Sequence, residues 1–170
     1  MHYLFRKPNT IKELAFMCKT PGRVLMWMRF HIKNGDHGDK IQTPPVTLER
    51  GVCSYLEFAW LFHDVLNEMG INSYIVTVKG SSKSVACFFE DGNNTLKCMV
   101  NRWTIFRCHE HIDDAIIFID EDWCRWIEWA VVCNKIVPVK PHYRDGKYGE
   151  DKDTRSYLLR NRLSSVRRSV

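Results

Sequence analysis

Seven cysteines and seven histidines are the side chains of this sequence best placed to do chemistry near neutral pH. The cysteines stand at 18, 53, 87, 98, 108, 124 and 133, an odd number at irregular spacing. With no export signal at the N-terminus, they read as reduced thiols of an intracellular protein and not as a disulfide framework. Cys53 has the most suggestive place. It stands before a long apolar stretch that ends at Gly70, and is expected to open a helix there. The first turn of a helix carries partial positive charge and free backbone N–H groups. A thiol at that point ionises more easily, which makes it a nucleophile, and the same N–H groups can hold a developing oxyanion. The competing reading is a core cysteine, because free Cys is among the most buried residue types.

A thiol nucleophile needs a base beside the sulfur and a group that orients the base. His31 and His37 flank the polar loop Asn34 to Lys40, where solvation is the simpler expectation. His63 lies ten residues into the helix, roughly 15 Å along its axis from Cys53, which is too far. His109 and His111 follow Arg107-Cys108 in a loop that could fold back toward Cys53, or could make ordinary loop contacts. Cys108-His109-Glu110-His111, joined by Cys98 or Cys124, offers soft ligands for zinc, but no paired Cys-x-x-Cys accompanies them. No metal or cofactor is therefore expected.

The elements that must position these groups follow from periodicity. Leu56, Ala59, Trp60, His63 and Asn67 mark one face of the helix after Cys53; Phe58, Phe62, Val65, Leu66 and Met69 mark another. Apolar residues lie nearly all round, so this helix is central. Gly70 is placed for a left-handed C-terminal cap. Upstream, Thr10 to Glu13 is a capping box leading Ile11, Leu14, Ala15 and Cys18. Pro21-Gly22 breaks that helix, and Val24, Leu25, Met28 and Ile32 carry a second to Lys33. Pro44 and Pro45 are expected to close a loop, with a short turn to Gly51. Downstream, Ser73 to Lys79, Ser84 to Glu90 and Thr95 to Val100 read as strands, with a hairpin turn at Asp91 to Asn94. Asp113-Asp114 start a helix whose face continues through Ile112, Ala115, Ile116, Ile119, Trp123 and Trp126. The seven carboxylates between Glu110 and Glu128 read as a solvated face. Val131 to Val139 is expected to form a last strand ended by Pro138 and Pro141.

A Pro-x-x-Thr-Leu turn (Pro44 to Leu48), then Gly51-Val52-Cys53 opening a helix, then Gly70-Ile71 and the strand Ser73 to Lys79 resemble a transglutaminase-like domain, the bacterial cysteine-protease-like branch of the papain-like superfamily. The resemblance extends from about residue 10 to about residue 130. It implies an α+β fold of transglutaminase-like, papain-like architecture, a central Cys-led helix packed on an antiparallel β-sheet. It also implies a catalytic His opening the second strand after the helix, and an Asp or Asn closing the third. Those positions fall on Ser84 and on Val100 or, with a one-residue slip, Asn101. Ser84 cannot act as a general base at neutral pH; Lys83 could only if desolvated. Asn101 could orient an imidazole, but residues 79–100 contain no His, so a strand slip restores none. The site candidates carried by the resemblance are Cys53, Ser84 and Asn101. Two readings follow: a degenerate member acting by protein binding or within an assembly, and an active cysteine hydrolase or acyl-transferase using Cys53 with a non-standard base.

At 170 residues and 45% apolar composition, the chain can bury one full core. No run of eighteen apolar residues exists, so no membrane partner is expected. The net charge of +5 is uneven. Residues 1–154 carry 20 basic and 20 acidic side chains, while Arg155, Arg160, Arg162, Arg167 and Arg168 follow with no acid. We therefore expect a domain over 1–142 and, over 143–170, a polar loop and basic helical tail. The Arg155 to Arg168 tail suits an acidic or nucleic-acid partner, or docks its Tyr157, Leu158, Leu159, Leu163 and Val166 face on the body. A bacterial or viral cytoplasmic protein would fit these features.

Overall fold

In the computed structural model, residues 2–35, 38, 40–90, 96–102, 104–107, 112–120, 122 and 124–144 are described below. The hairpin turn expected at Asp91 to Asn94, His37, the Cys108 to His111 cluster and the Arg155 to Arg168 tail all lie outside the described residues.

Helix α4 (Tyr55–Glu68) is the hub. Seven of its apolar side chains, Phe58, Ala59, Trp60, Leu61, Phe62, Val65 and Leu66, are buried, as all-round apolar character requires. It ends as expected. Gly70 adopts φ 74°, and its N–H donates to Asn67 O (2.9 Å) while Ile71 N–H donates to Leu66 O (2.9 Å). These two bonds satisfy carbonyls that the last turn would leave open.

Three helices pack around α4. Helix α1 (Ile11–Cys18) is capped by Thr10, whose side chain accepts from Glu13 N (3.1 Å), although Glu13 reaches back to Asn9 N and not to the cap. Helix α2 (Pro21–His31) starts at the Pro-Gly pair, with Thr20 as its cap. Helix α3 (Pro44–Arg50) replaces the expected loop: Pro44 and Pro45 open a helix and do not close a turn. Proline suits the first helical positions, where its missing N–H has no intrahelical partner to lose. Gly51, at φ 68°, ends α3 in the left-handed region.

A six-stranded, wholly antiparallel sheet lies beneath α4, built from β3 (Ser73–Lys79), β4 (Lys83–Glu90), β5 (Leu96–Val100), β6 (Thr104–Arg107), β7 (Arg125–Val132) and β8 (Lys135–Tyr143). Its order is β6-β5-β4-β3-β7-β8. The period-2 alternation sends Ile75, Cys87, Phe89 and Met99 into the core shared with α1 to α4. Their neighbours Val76, Val78, Ala86, Phe88 and Cys98 face α5 (Ile112–Ile119) in a second core with Ala115, Ile116 and Trp126. Phe62 of α4 meets Phe89 of β4 edge to face, with ring centroids 5.8 Å apart. A two-residue parallel pair, β1 (Lys33–Asn34) with β2 (Val52–Cys53), joins the end of α2 to the start of α4.

The C-terminal side departs from expectation. Strand β6 pairs with β5 and was not foreseen. Helix α5 stops at Ile119, so Trp126 lies in strand β7 and not on the helix face. The expected last strand at Val131 to Val139 is two strands, turning at Cys133 and Asn134, which adopt φ 50° and 58°. Pro138 and Pro141 lie inside β8 and do not end it; β8 is an edge strand, where proline is tolerated. The acidic stretch is not uniformly solvated either, because Asp120 is buried.

Asp120 holds the end of α5 to the β3–β4 turn. Its carboxylate accepts from Ser81 Oγ (3.2 Å), Ser82 N (3.2 Å) and Asp122 N (3.0 Å). A Cβ on Gly80 would lie 2.6 Å from Asp120 Oδ2 and 2.7 Å from Cγ. Because three bonds fix that carboxylate, it cannot swing aside freely. Gly80→Ala is expected to cost about 1–3 kcal/mol of unfolding free energy, read by urea titration; an unchanged midpoint would show that the clamp yields. Among the described residues, no helix is long and apolar enough to cross a membrane.

Candidate functional site

Cys53 does not open α4. It ends β2, paired with Asn34, and Ser54 is the helix cap with extended φ and ψ of −72° and 171°. The helix therefore starts one residue past the cap. Ser54 and Glu57 form a reciprocal capping box, in which Ser54 Oγ accepts from Glu57 N (3.4 Å) and Ser54 N donates to Glu57 Oε2 (2.8 Å). The Ser-x-x-Glu spacing carried this signal in the sequence.

The consequence for the thiol is the reverse of activation. Cys53 is 0% exposed and belongs to the core around α4. Burial pushes its thiol up to about 12; Arg102 opposes the rise and Glu57 adds to it. A reactive cysteine sits in a partly exposed, electropositive place, and a structural one is buried and inert. Cys53 is of the second kind.

Ser84 and Asn101 are brought together. Ser84, on β4, is 6% exposed. Asn101 Nδ2 donates to Ser84 Oγ (3.2 Å), and Asn101 Oδ1 accepts from Val85 N (2.8 Å). The Asn101 backbone N–H also donates to Val85 O (2.8 Å). At φ 44°, Asn101 turns the chain out of β5, and its amide takes over pairing at the end of the ladder. The groups that act on the Cys53 thiol are instead Arg102 and Glu57. Lys83 is exposed and lacks the desolvation that a lysine base requires. Val100 pairs with Ala86 and Thr104 in the sheet.

The described histidines serve contacts of their own. His31 stacks on Trp27 with centroids 4.4 Å apart, and its Nε2 bonds Leu4 O, fastening the N-terminal turn to α2. His142 stacks on Trp126 at 3.6 Å. His63 lies in a chain that sequence reasoning missed: Asn67 Nδ2 meets His63 Nε2 (3.0 Å), and His63 Nδ1 meets Ser73 Oγ (2.7 Å). The His63/Asn67 spacing of four on a helix, followed by Ser73 after the Gly70 turn, was the available signal. With the amide donating to Nε2, the ring proton stays on Nδ1 and Ser73 Oγ accepts it. A serine nucleophile needs the opposite polarity. Burial lowers the pKa of His63, which keeps the ring neutral. The chain ties the end of α4 to the start of β3. His109 and His111 lie outside the described residues.

Arg102 is the second group that was missed. It is 7% exposed and adopts φ 74°. Its Nη2 donates to Ile32 O, its carbon lies 4.4 Å from the Phe58 ring centroid, and its Nη1 is buried with no hydrogen-bond partner. Burial pulls its pKa down, partly offset by Cys53. No local pattern marks a buried arginine, because its partners come from β1's approach and α4.

Six described cysteines are free thiols, and the described residues contain no cluster of three or more metal-ligating side chains. Compared with known protein families and with curated protein sequences, the chain matches none.

Proposed function

We propose that the chain is a transglutaminase-like domain protein of the degenerate kind, catalytically weak or inactive, which acts by binding a protein partner or within an assembly. The single observation that carries this reading is the state of Cys53: a 0% exposed thiol pushed up to about 12. The Ser84–Asn101 bond supports it, since the positions matched to the catalytic His and its orienting residue hold one another. The arrangement of α4 on an antiparallel sheet supports the family reading. Free thiols agree with a reducing, cytoplasmic setting, and the Arg155 to Arg168 tail suits an acidic partner surface.

The test is acyl transfer. The full chain and Cys53→Ala are incubated with p-nitrophenyl acetate, and peptides covering Cys53 are examined by mass spectrometry. The expected result is no acetyl adduct on Cys53 and the same nitrophenol release from both proteins. An adduct at Cys53 with a release burst that Cys53→Ala abolishes would establish the cysteine acyl-enzyme chemistry instead.

A further inference from the structure

Beside the buried cysteine lies a cavity of about 770 Å³, framed by α2, β1, the first residue of α4 and the turn after β5. Its polar lining is cationic: Arg29, Lys33 and Arg102, with Asn34 and Tyr55. No acidic side chain is among the described residues that line it. Its apolar lining comes largely from α2, including Phe30, whose ring packs edge to face on Phe5 with centroids 6.4 Å apart. The volume falls within the range of small-molecule sites, roughly 300–1,000 Å³.

Arg102 is the informative residue. An arginine stays charged in proteins, and a buried charge or donor without a partner is costly. One side of this guanidinium is committed to Ile32 O and its face to Phe58, Nη1 is buried with no hydrogen-bond partner, and the residue is part of the cavity lining. The Cys53 thiol, which favours the charge, is itself neutral at physiological pH. An anion in the cavity would supply the opposite charge that the cavity lining does not give Arg102. Arg102 and Lys33 suit a head with more than one negative charge: a planar guanidinium supplies directed donors and a lysine a point charge, as at phosphate sites. The apolar α2 side suits a compact organic group attached to that head.

We infer that this cavity binds a small phosphate monoester, its phosphate held by Arg102 and Lys33 and its organic group lying against the apolar side of α2. The site goes beyond the protein-binding reading of the chain, and stands whether or not Cys53 is reactive.

The experiment uses the full chain, with phenyl phosphate, inorganic phosphate, benzoate and benzyl alcohol as probes, in calorimetric titrations and melting curves. Phenyl phosphate is expected to bind saturably and to raise the melting temperature. It should bind at least tenfold more tightly than inorganic phosphate or benzoate, and benzyl alcohol should give no saturable signal. Lys33 and Asn34 are exposed, so Lys33→Met and Asn34→Asp are expected to fold normally. Lys33→Met should weaken phenyl phosphate several-fold, and Asn34→Asp, which plants a negative charge at the cavity wall, at least tenfold. Arg102→Lys should lose at least tenfold; if it does not fold, the two exposed variants decide. Cys53→Ala should bind like the unmodified chain. Failure of phenyl phosphate to saturate at millimolar concentration overturns the inference, and so does binding that ignores both exposed substitutions. Benzoate binding best would overturn the phosphate head, and inorganic phosphate binding as well as the ester would overturn the organic part. Because none of these readouts involves acylation of Cys53, the outcome is separate from that of the acyl-transfer test.

Discussion

Iodoacetamide at pH 8 will label Cys133 of the folded protein rapidly and leave Cys53 unmodified. Cys133 sits exposed in the β7–β8 turn, whereas Cys53 is buried. At that pH an ordinary thiol of pKa about 8.5 is roughly a quarter thiolate. A thiol pushed up to about 12 is ionised to roughly one part in ten thousand, so the thiolate fraction falls by more than about a thousandfold before steric exclusion is counted. The pH profile carries the sign. Raising the pH should increase Cys53 modification about tenfold per unit, without a plateau, for as long as the fold survives. Mass spectrometry of the Cys53 peptide, against a Cys53→Ala control, reads the rate. A plateau between pH 6 and 9 would mean a stable thiolate, and the reading of Cys53 as a core residue would have to be abandoned.

Replacing Glu57 by alanine is expected to cost about 2–4 kcal/mol of unfolding free energy, from one buried donor left unmade and a lost helix cap. Glu57 is 1% exposed. Its carboxylate accepts from Ser54 N (2.8 Å), from Ser54 Oγ (3.0 Å) and from the Gln42 backbone N–H. Alanine would remove the acceptor, leaving the Gln42 N–H buried and unmade and the two Ser54 donors without their partner at a part-buried cap; a lost buried partner costs about 1–3 kcal/mol. Two links would loosen at once: the cap of α4, and the connection that brings residue 42 beside it. Gln42 also donates from Nε2 to Val52 O (3.2 Å), so the loss would reach β2. Glu57→Gln keeps the shape but turns a donor toward a donor, and should cost about 1–3 kcal/mol. Urea denaturation at constant m reads both. A loss below about 1 kcal/mol for Glu57→Ala would show that water satisfies these groups as well as the carboxylate does.

What the sequence made legible depends on the range of each interaction. Helix α4, the Gly70 stop and strands β3 to β5 depend on local periodicity and on backbone geometry at one residue, and each was readable. Pro44 and Pro45 were ambiguous in kind, because proline serves both loops and helix starts, and the residues after the pair decide between them. The run from Ile112 to Trp126 fits a helical stripe, yet RWIEWAVV (125–132) also fits a strand buried on one face; pairing with β3 settles it. Of the candidate residues, Ser84 and Asn101 were correctly placed at facing strand ends, whereas Cys53, expected to open the central helix, ends β2 just before its cap. Its burial could not be read, since β1, Arg102 and Glu57 enclose it from three parts of the chain. Arg102 itself donates to a carbonyl 70 residues earlier, a relation that no window reveals.

One of the two edge strands, β8, bears on how this protein can meet a partner. Of the nine residues of β8, two are prolines and have no N–H to offer. A free sheet edge is otherwise a template on which a second chain can add a strand. Here the ladder a newcomer would need is broken at two points, which disfavours filament-like stacking and strand addition along that side. Along that edge, side chains and not the repetitive hydrogen bonding of a sheet are left to choose a partner; the opposite edge, β6, carries no proline.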